Sequence, residues 1–126
     1  MDNERSVKIL IDNEEYHLLL TTKALKEIAK RYGNLDDVCG KIVQIEDMEL
    51  SINETIWFIT LLANQTILIH NLKNDNKQEL LTEEKVELLT TAADLNDLKR
   101  AVFKTLDKGV KRNIISEDDA KNSQVG

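Results

Sequence analysis

Residues 51–72 read SINETIWFITLLANQTILIHNL. At about 100° per residue on a helical wheel, Thr60, Asn64 and Asn71 form one narrow polar seam. Apolar residues fill most of the remaining circumference, interrupted by Gln65, Thr66 and His70. A helix that is apolar nearly all round is buried on several sides. Ser51-Ile52-Asn53-Glu54 fits the S-x-x-E capping box, in which hydroxyl and carboxylate each satisfy a backbone N–H at a helix start. This predicts a central helix over residues 52–72 with the other elements packed around it.

Upstream, Val7, Ile9 and Ile11 alternate with Ser6, Lys8 and Leu10, the period of a strand with one buried face. Residues 12–15 read as a polar turn and residues 16–21, YHLLLT, as a second strand, which gives an antiparallel hairpin. A lone hairpin is marginal in water, so it must lie on helices, pair with another strand, or both, and its outer edges are candidate docking edges. Thr22 is placed to cap a helix over residues 23–32, with Leu25, Ile28, Ala29 and Tyr32 as its apolar stripe and Gly33 as its terminator. Asn34 is placed to cap a short helix in which Leu35, Val38, Cys39 and Ile42 share a face.

Downstream, residues 73–78 form a polar loop. Thr82 then caps a helix whose first turn is acidic, with Leu81 able to staple onto Val86. Val86, Leu89 and Ala93 are its expected buried side. Asp94 reads as a new N-cap before the stripe Leu95, Leu98, Val102, Leu106 and Val110. The fold class is α+β: an N-terminal hairpin and about five helices around a central apolar helix. Residues 1–112 form one globular domain, and residues 113–126, without periodicity, form a mobile C-terminal tail.

The chain has 126 residues, 41% hydrophobic and 32% charged, enough for one domain with a real core. A net charge of −6 argues against a nucleic-acid or anionic-membrane surface. The single Cys39 and the lack of a signal-peptide pattern point to a cytoplasmic location. The apolar run ending at Leu72 is too short and too interrupted for a membrane span. No nucleotide, nucleophile-elbow or zinc-protease motif is present, so no catalytic, cofactor-binding or metal-binding residue is assigned and no cofactor is expected. Glu15 and His17 share a strand face, but a third ligand is not apparent in the sequence. His70 reads as a hydrogen-bonded core or rim residue and Cys39 as a small buried hydrophobe. Trp57, Ile67 and Leu68 flank the polar seam, and Phe103 lies at the edge of the last stripe. Either neighbouring elements cover these four residues or they form a partner-binding surface.

The layout as a whole resembles a known family. The hairpin SVKILIDNEEYHLLLTT runs into a helix with Ala24, Leu25 and Ile28 that ends at Tyr32-Gly33-x-Leu35. A long apolar helix follows, then a capped helix pair with Ala92 and Ala93 between its halves. This is similar to the small tail assembly chaperones of long-tailed bacteriophages and prophages, including the small tail proteins of gene transfer agents. The resemblance spans residues 6–110. It implies a non-enzymatic protein, in the cytoplasm of a bacterial host, that binds the tape-measure protein and/or the tail tube protein during assembly. It also implies possible homo-oligomers, and a longer frameshifted product in some relatives. The alternatives are a structural component of the same tail, or a bacterial adaptor or regulatory module unrelated to phage.

Overall fold

The computed structural model describes the backbone of residues 5–125 and the side chains of residues 5–110. The expected mobile tail, residues 113–126, lies outside the described side chains. Two strands, β1 (Val7–Ile11) and β2 (Glu14–Leu18), precede five helices among the described residues. These are α1 (Thr22–Tyr32), α2 (Val38–Val43), α3 (Met48–Lys73), α4 (Glu83–Leu89) and α5 (Ala92–Val125). The architecture is α+β, with every other element packed against α3 except β1, which lies on β2 and α5.

The hairpin turn is shorter than the polar stretch suggests. Asp12 and Asn13 alone make it, with φ of 52° and 65°, and Ile11 pairs with Glu14. Two consecutive left-handed residues match the right-handed twist of the strands they join, and Asp and Asn tolerate that region far better than Glu. Glu14 and Glu15 therefore belong to β2. Ile9, Ile11 and Leu18 face the core, and Leu10 is exposed. β2 ends early because the Leu19 N–H turns away to the Leu62 carbonyl (3.2 Å).

Four helix starts differ from the expected caps, those of α1, α2 and α3 and that of α5, where Thr91 takes the place expected of Asp94. In α1 the cap is Thr21, whose hydroxyl accepts from the Ala24 N–H at 3.0 Å. That places Ala24 and Ile28 inside and leaves Leu25 partly exposed. In α2 no side chain caps the start: Asp37 takes a left-handed conformation, while Asn34 accepts from the Asp36 N–H in a local turn. Leu35, Val38, Cys39 and Ile42 do share the packed side. In α3 the cap is Asp47, accepting from the Leu50 N–H at 2.8 Å. The helix thus begins a full turn before the Ser51 box. The Ser51 carbonyl instead accepts from the Thr55 hydroxyl, and Glu54 bonds to α1.

The polar seam of α3 has a specific cover. The Asn64 side chain donates to the Leu81 carbonyl (2.8 Å) and accepts from the Leu81 N–H (2.7 Å). Two turns later Asn71 does the same to Gln78, at 3.0 and 2.8 Å. Seven helical residues rise about 10 Å. Three residues of chain cross that distance only when extended, at about 3.3 Å each. The segment after α3 is therefore an extended strap running back along the helix, sealed at its far end by buried Leu81. Leu81 and Val86 are both buried beside the Thr82 cap, as a staple requires. α4 stops where Thr90 turns extended, so Leu89 and Ala93 are exposed instead of lying beside Val86. In α5, Thr91 and Asp94 cap reciprocally: the Thr91 N–H donates to the Asp94 carboxylate (2.9 Å), and the Asp94 N–H donates to the Thr91 hydroxyl (3.4 Å). Leu98, Val102, Thr105 and Leu106 are the buried stripe.

Candidate protein-docking groove

The early start of α3 creates a ridge. Met48, Ile52 and Ile56 stand at i, i+4 and i+8, one above another on one helix face. Ile56 is buried at 1%, whereas Met48 is 77% and Ile52 37% exposed. Opposite them, Ala92, Leu95 and Lys99 form the facing side of α5, and Glu87 and Thr90 close one end. The result is an open groove of about 760 Å³ between two helices. Its α3 wall, residues 48–56, is about 12 Å long at 1.5 Å per residue, room for about two turns of a third helix. Its buried lining residues are Ile56 and Thr55. Its rim carries Glu46, Glu49 and Glu87 against one Lys99, whose ammonium donates to the Ser51 hydroxyl at 3.3 Å.

Next to the groove, Glu54 fixes α1 onto α3. One carboxylate oxygen accepts from Arg31 Nε (2.8 Å) and Tyr32 Oη (2.6 Å), the other from Arg31 Nη2 (2.5 Å). The Arg31 hydrogen bond holds the Glu54 carboxyl below its ordinary range, against the opposing effect of burial, and Tyr32 adds to the lowering. Burial, followed by the bond to Glu54, raises the Tyr32 hydroxyl well above its ordinary value. The guanidinium also lies 4.4 Å over the Trp57 ring, a cation–π contact. Trp57 meets Phe58 edge-on at 4.9 Å, and Tyr32 meets Phe58 at 5.5 Å.

This arrangement assigns each residue picked from the sequence. Trp57 is half-buried and engaged by Arg31 and Phe58. Ile67 is mostly buried, at 8% exposed, and what remains of its surface lines a slot beside β2. Leu68 and Phe103 are half-buried, with Phe103 packed on the core. The four do not form one exposed face. Met48 and Ile52 do stand exposed together; the Ser51 box placed them before or at the helix start, where they formed no stripe.

The remaining chemistry-bearing side chains have local partners. His70 Nε2 lies 2.9 Å from the Asn76 carbonyl, on the rim of the strap. His17 Nε2 lies 2.8 Å from Glu15 Oε2. Cys39 is half-buried, and burial, then Asp107 and Asp37, push its thiol up, away from the reactive thiolate. Among the described residues no group of three His, Cys, Asp or Glu could hold a metal ion, and no helix is long and apolar enough to cross a membrane. No protein-family model, curated protein or solved structure matches the chain.

Proposed function

We propose that this chain is a non-catalytic assembly chaperone of a phage or prophage tail, acting in the host cytoplasm and binding the tape-measure and/or tail tube protein. The observation that carries the reading is the groove between α3 and α5, where Met48 and Ile52 are left to solvent in line with buried Ile56. Exposed apolar residues lining a helix-wide groove are the signature of helix-in-groove recognition. Methionine suits a surface that must fit more than one stretch of client, because its side chain is unbranched and adaptable. The acidic rim adds steering for a client helix with basic flanks and keeps the pair soluble. The layout of hairpin, long apolar helix and capped helix pair adds the family resemblance.

The test is co-expression of the tagged chain with the neighbouring tail genes. Recovery of the tape-measure or tube protein, and its loss with Ile52→Asp, is the expected result. Recovery of host proteins alone overturns the tail assignment in favour of an adaptor. Capture of tail proteins that Ile52→Asp does not weaken moves the docking site away from the groove.

A further inference from the structure

The outer edge of β2 is only partly covered, and what covers it shows which backbone groups remain. A two-residue turn makes Ile11 and Glu14 a hydrogen-bonded pair, so Ile9–Tyr16 and Val7–Leu18 are bonded pairs as well. The N–H and C=O groups of Glu15 and His17 therefore point away from β1. α3 closes one end of this edge: the Thr66 hydroxyl donates to the His17 carbonyl (3.0 Å), and the Leu19 N–H donates to the Leu62 carbonyl (3.2 Å). These bonds stop short of Glu15. There the edge faces a slot of about 580 Å³, floored by Thr66 and Ile67 and walled on the far side by residues 78–81.

That far wall is extended backbone pinned at its ends. Asn71 grips Gln78 and Asn64 grips Leu81. Glu79 and Leu80 between them have no hydrogen-bond partner among the described residues. The mouth is acidic: Glu14, Glu15 and Glu79 line it against Lys85 and a His17 already paired with Glu15.

We infer that this slot takes a short extended segment of another protein, with alternating apolar and basic residues, added as a third strand beside β2. The backbone of the incoming segment meets the outward groups of Glu15 and the His17 N–H. Its apolar side chains point to Ile67 and Leu81, and its basic ones to the opposite face, which carries Glu15. Period-2 alternation is what a strand needs to present two chemistries to two faces. The site is separate from the helix groove and does not depend on it.

The probe is an acetylated, amidated Lys-Val-Lys-Val-Lys peptide added to the full chain, followed by amide NMR. Saturable shifts at Glu15, His17, Glu79 and Leu80 are expected. A Glu-Val-Glu-Val-Glu peptide and a Lys/Val peptide N-methylated at alternate residues should each bind at least about tenfold weaker, since about tenfold is the scale of a single lost charge-assisted or backbone bond and each control loses more than one. Glu15→Pro removes the outward N–H without touching a ladder bond, and the carboxylate with it; it should weaken the Lys/Val peptide more than Glu15→Gln, which removes the charge alone. Undiminished binding of the N-methylated peptide would show attraction by charge alone and overturn the strand assignment. Shifts elsewhere, or none, overturn the site. Shifts that track protein concentration without peptide show that a second copy fills the slot and overturn the proposed occupant.

Discussion

Replacing Asn64 by Ala should test the strap. The side chain makes two hydrogen bonds to one residue, Leu81, which is 3% exposed. Two net hydrogen bonds are worth about 1–3 kcal/mol together. Deletion also leaves a backbone donor and acceptor beside a buried side chain, where an unpaired group costs about 1–3 kcal/mol unless water reaches it. We expect a loss of about 3 kcal/mol, a large share of the 5–15 kcal/mol typical of a domain. Asn71 makes the same pair of bonds to Gln78, but Gln78 is exposed and water can replace them. Asn71→Ala should therefore cost about 0.5 kcal/mol, as a solvated surface change does. Urea unfolding followed by Trp57 fluorescence reads both variants, and hydrogen exchange at the Leu81 amide reports whether the strap lifts locally. Asn64→Asp sharpens the comparison. Its carboxylate still accepts from the Leu81 N–H but opposes the carbonyl, so protonation is favoured in the folded state. Its native pKa is raised, and stability should fall as pH rises through it. Equal costs for Asn64→Ala and Asn71→Ala would refute the argument that burial, and not bond count, sets the strap's strength.

Three further outcomes follow from the same structure. Glu54 is lowered from its ordinary 4.5 in the folded chain, so its contribution is full above that value and is lost as pH falls through the lowered one; Glu54→Gln should remove this acid-limb loss in pH-dependent urea unfolding and cost about 1–2 kcal/mol at neutral pH, since the Arg31 it leaves behind is partly solvated. In thermal melts Ile52→Asp should cost less than about 1 kcal/mol, whereas Ile67→Asp, placing a charge at a buried site, should cost several and prevent stable folding. Gly109→Ala gains about 1 kcal/mol of helix propensity, but its Cβ meets Leu20 Cβ at 2.9 Å and Cδ2 at 2.7 Å; overpacking should win, lowering the urea midpoint, and Leu20→Ala added to it should recover that helix gain.

The elements were legible wherever one local signal was decisive. β1 followed from period-2 alternation, and the Gly33 terminator has φ 90°, which favours glycine. The start of α4 followed from Thr82, two acids and the Leu81–Val86 pair. Where two residues compete for one job, the pattern was ambiguous. Thr21 and Thr22 are equally good caps by type; Thr21 wins because its hydroxyl also donates to Gln65 of α3 at 2.5 Å, a bond across 44 residues. The seam Asn64–Asn71 was readable as polar, but its partner was not. It binds backbone, and any sequence supplies backbone.

The start of α3 shows how one such ambiguity reached the functional site. Ser51-x-x-Glu54 and Asp47-x-x-Leu50 both offer an N-cap, and the first carries the fuller pattern. Once a turn is nucleated, however, each added residue gains a bond at low cost, so a cap one turn upstream prevails unless something breaks the helix between them. Nothing does: residues 48–51 contain neither Pro nor Gly. Glu54 was then free for Arg31 and Tyr32, and the turn before Ser51 became helical. Met48 aligned with Ile52 and Ile56 only through that extra turn. The exposed ridge, and with it the groove, is a consequence of where the helix begins.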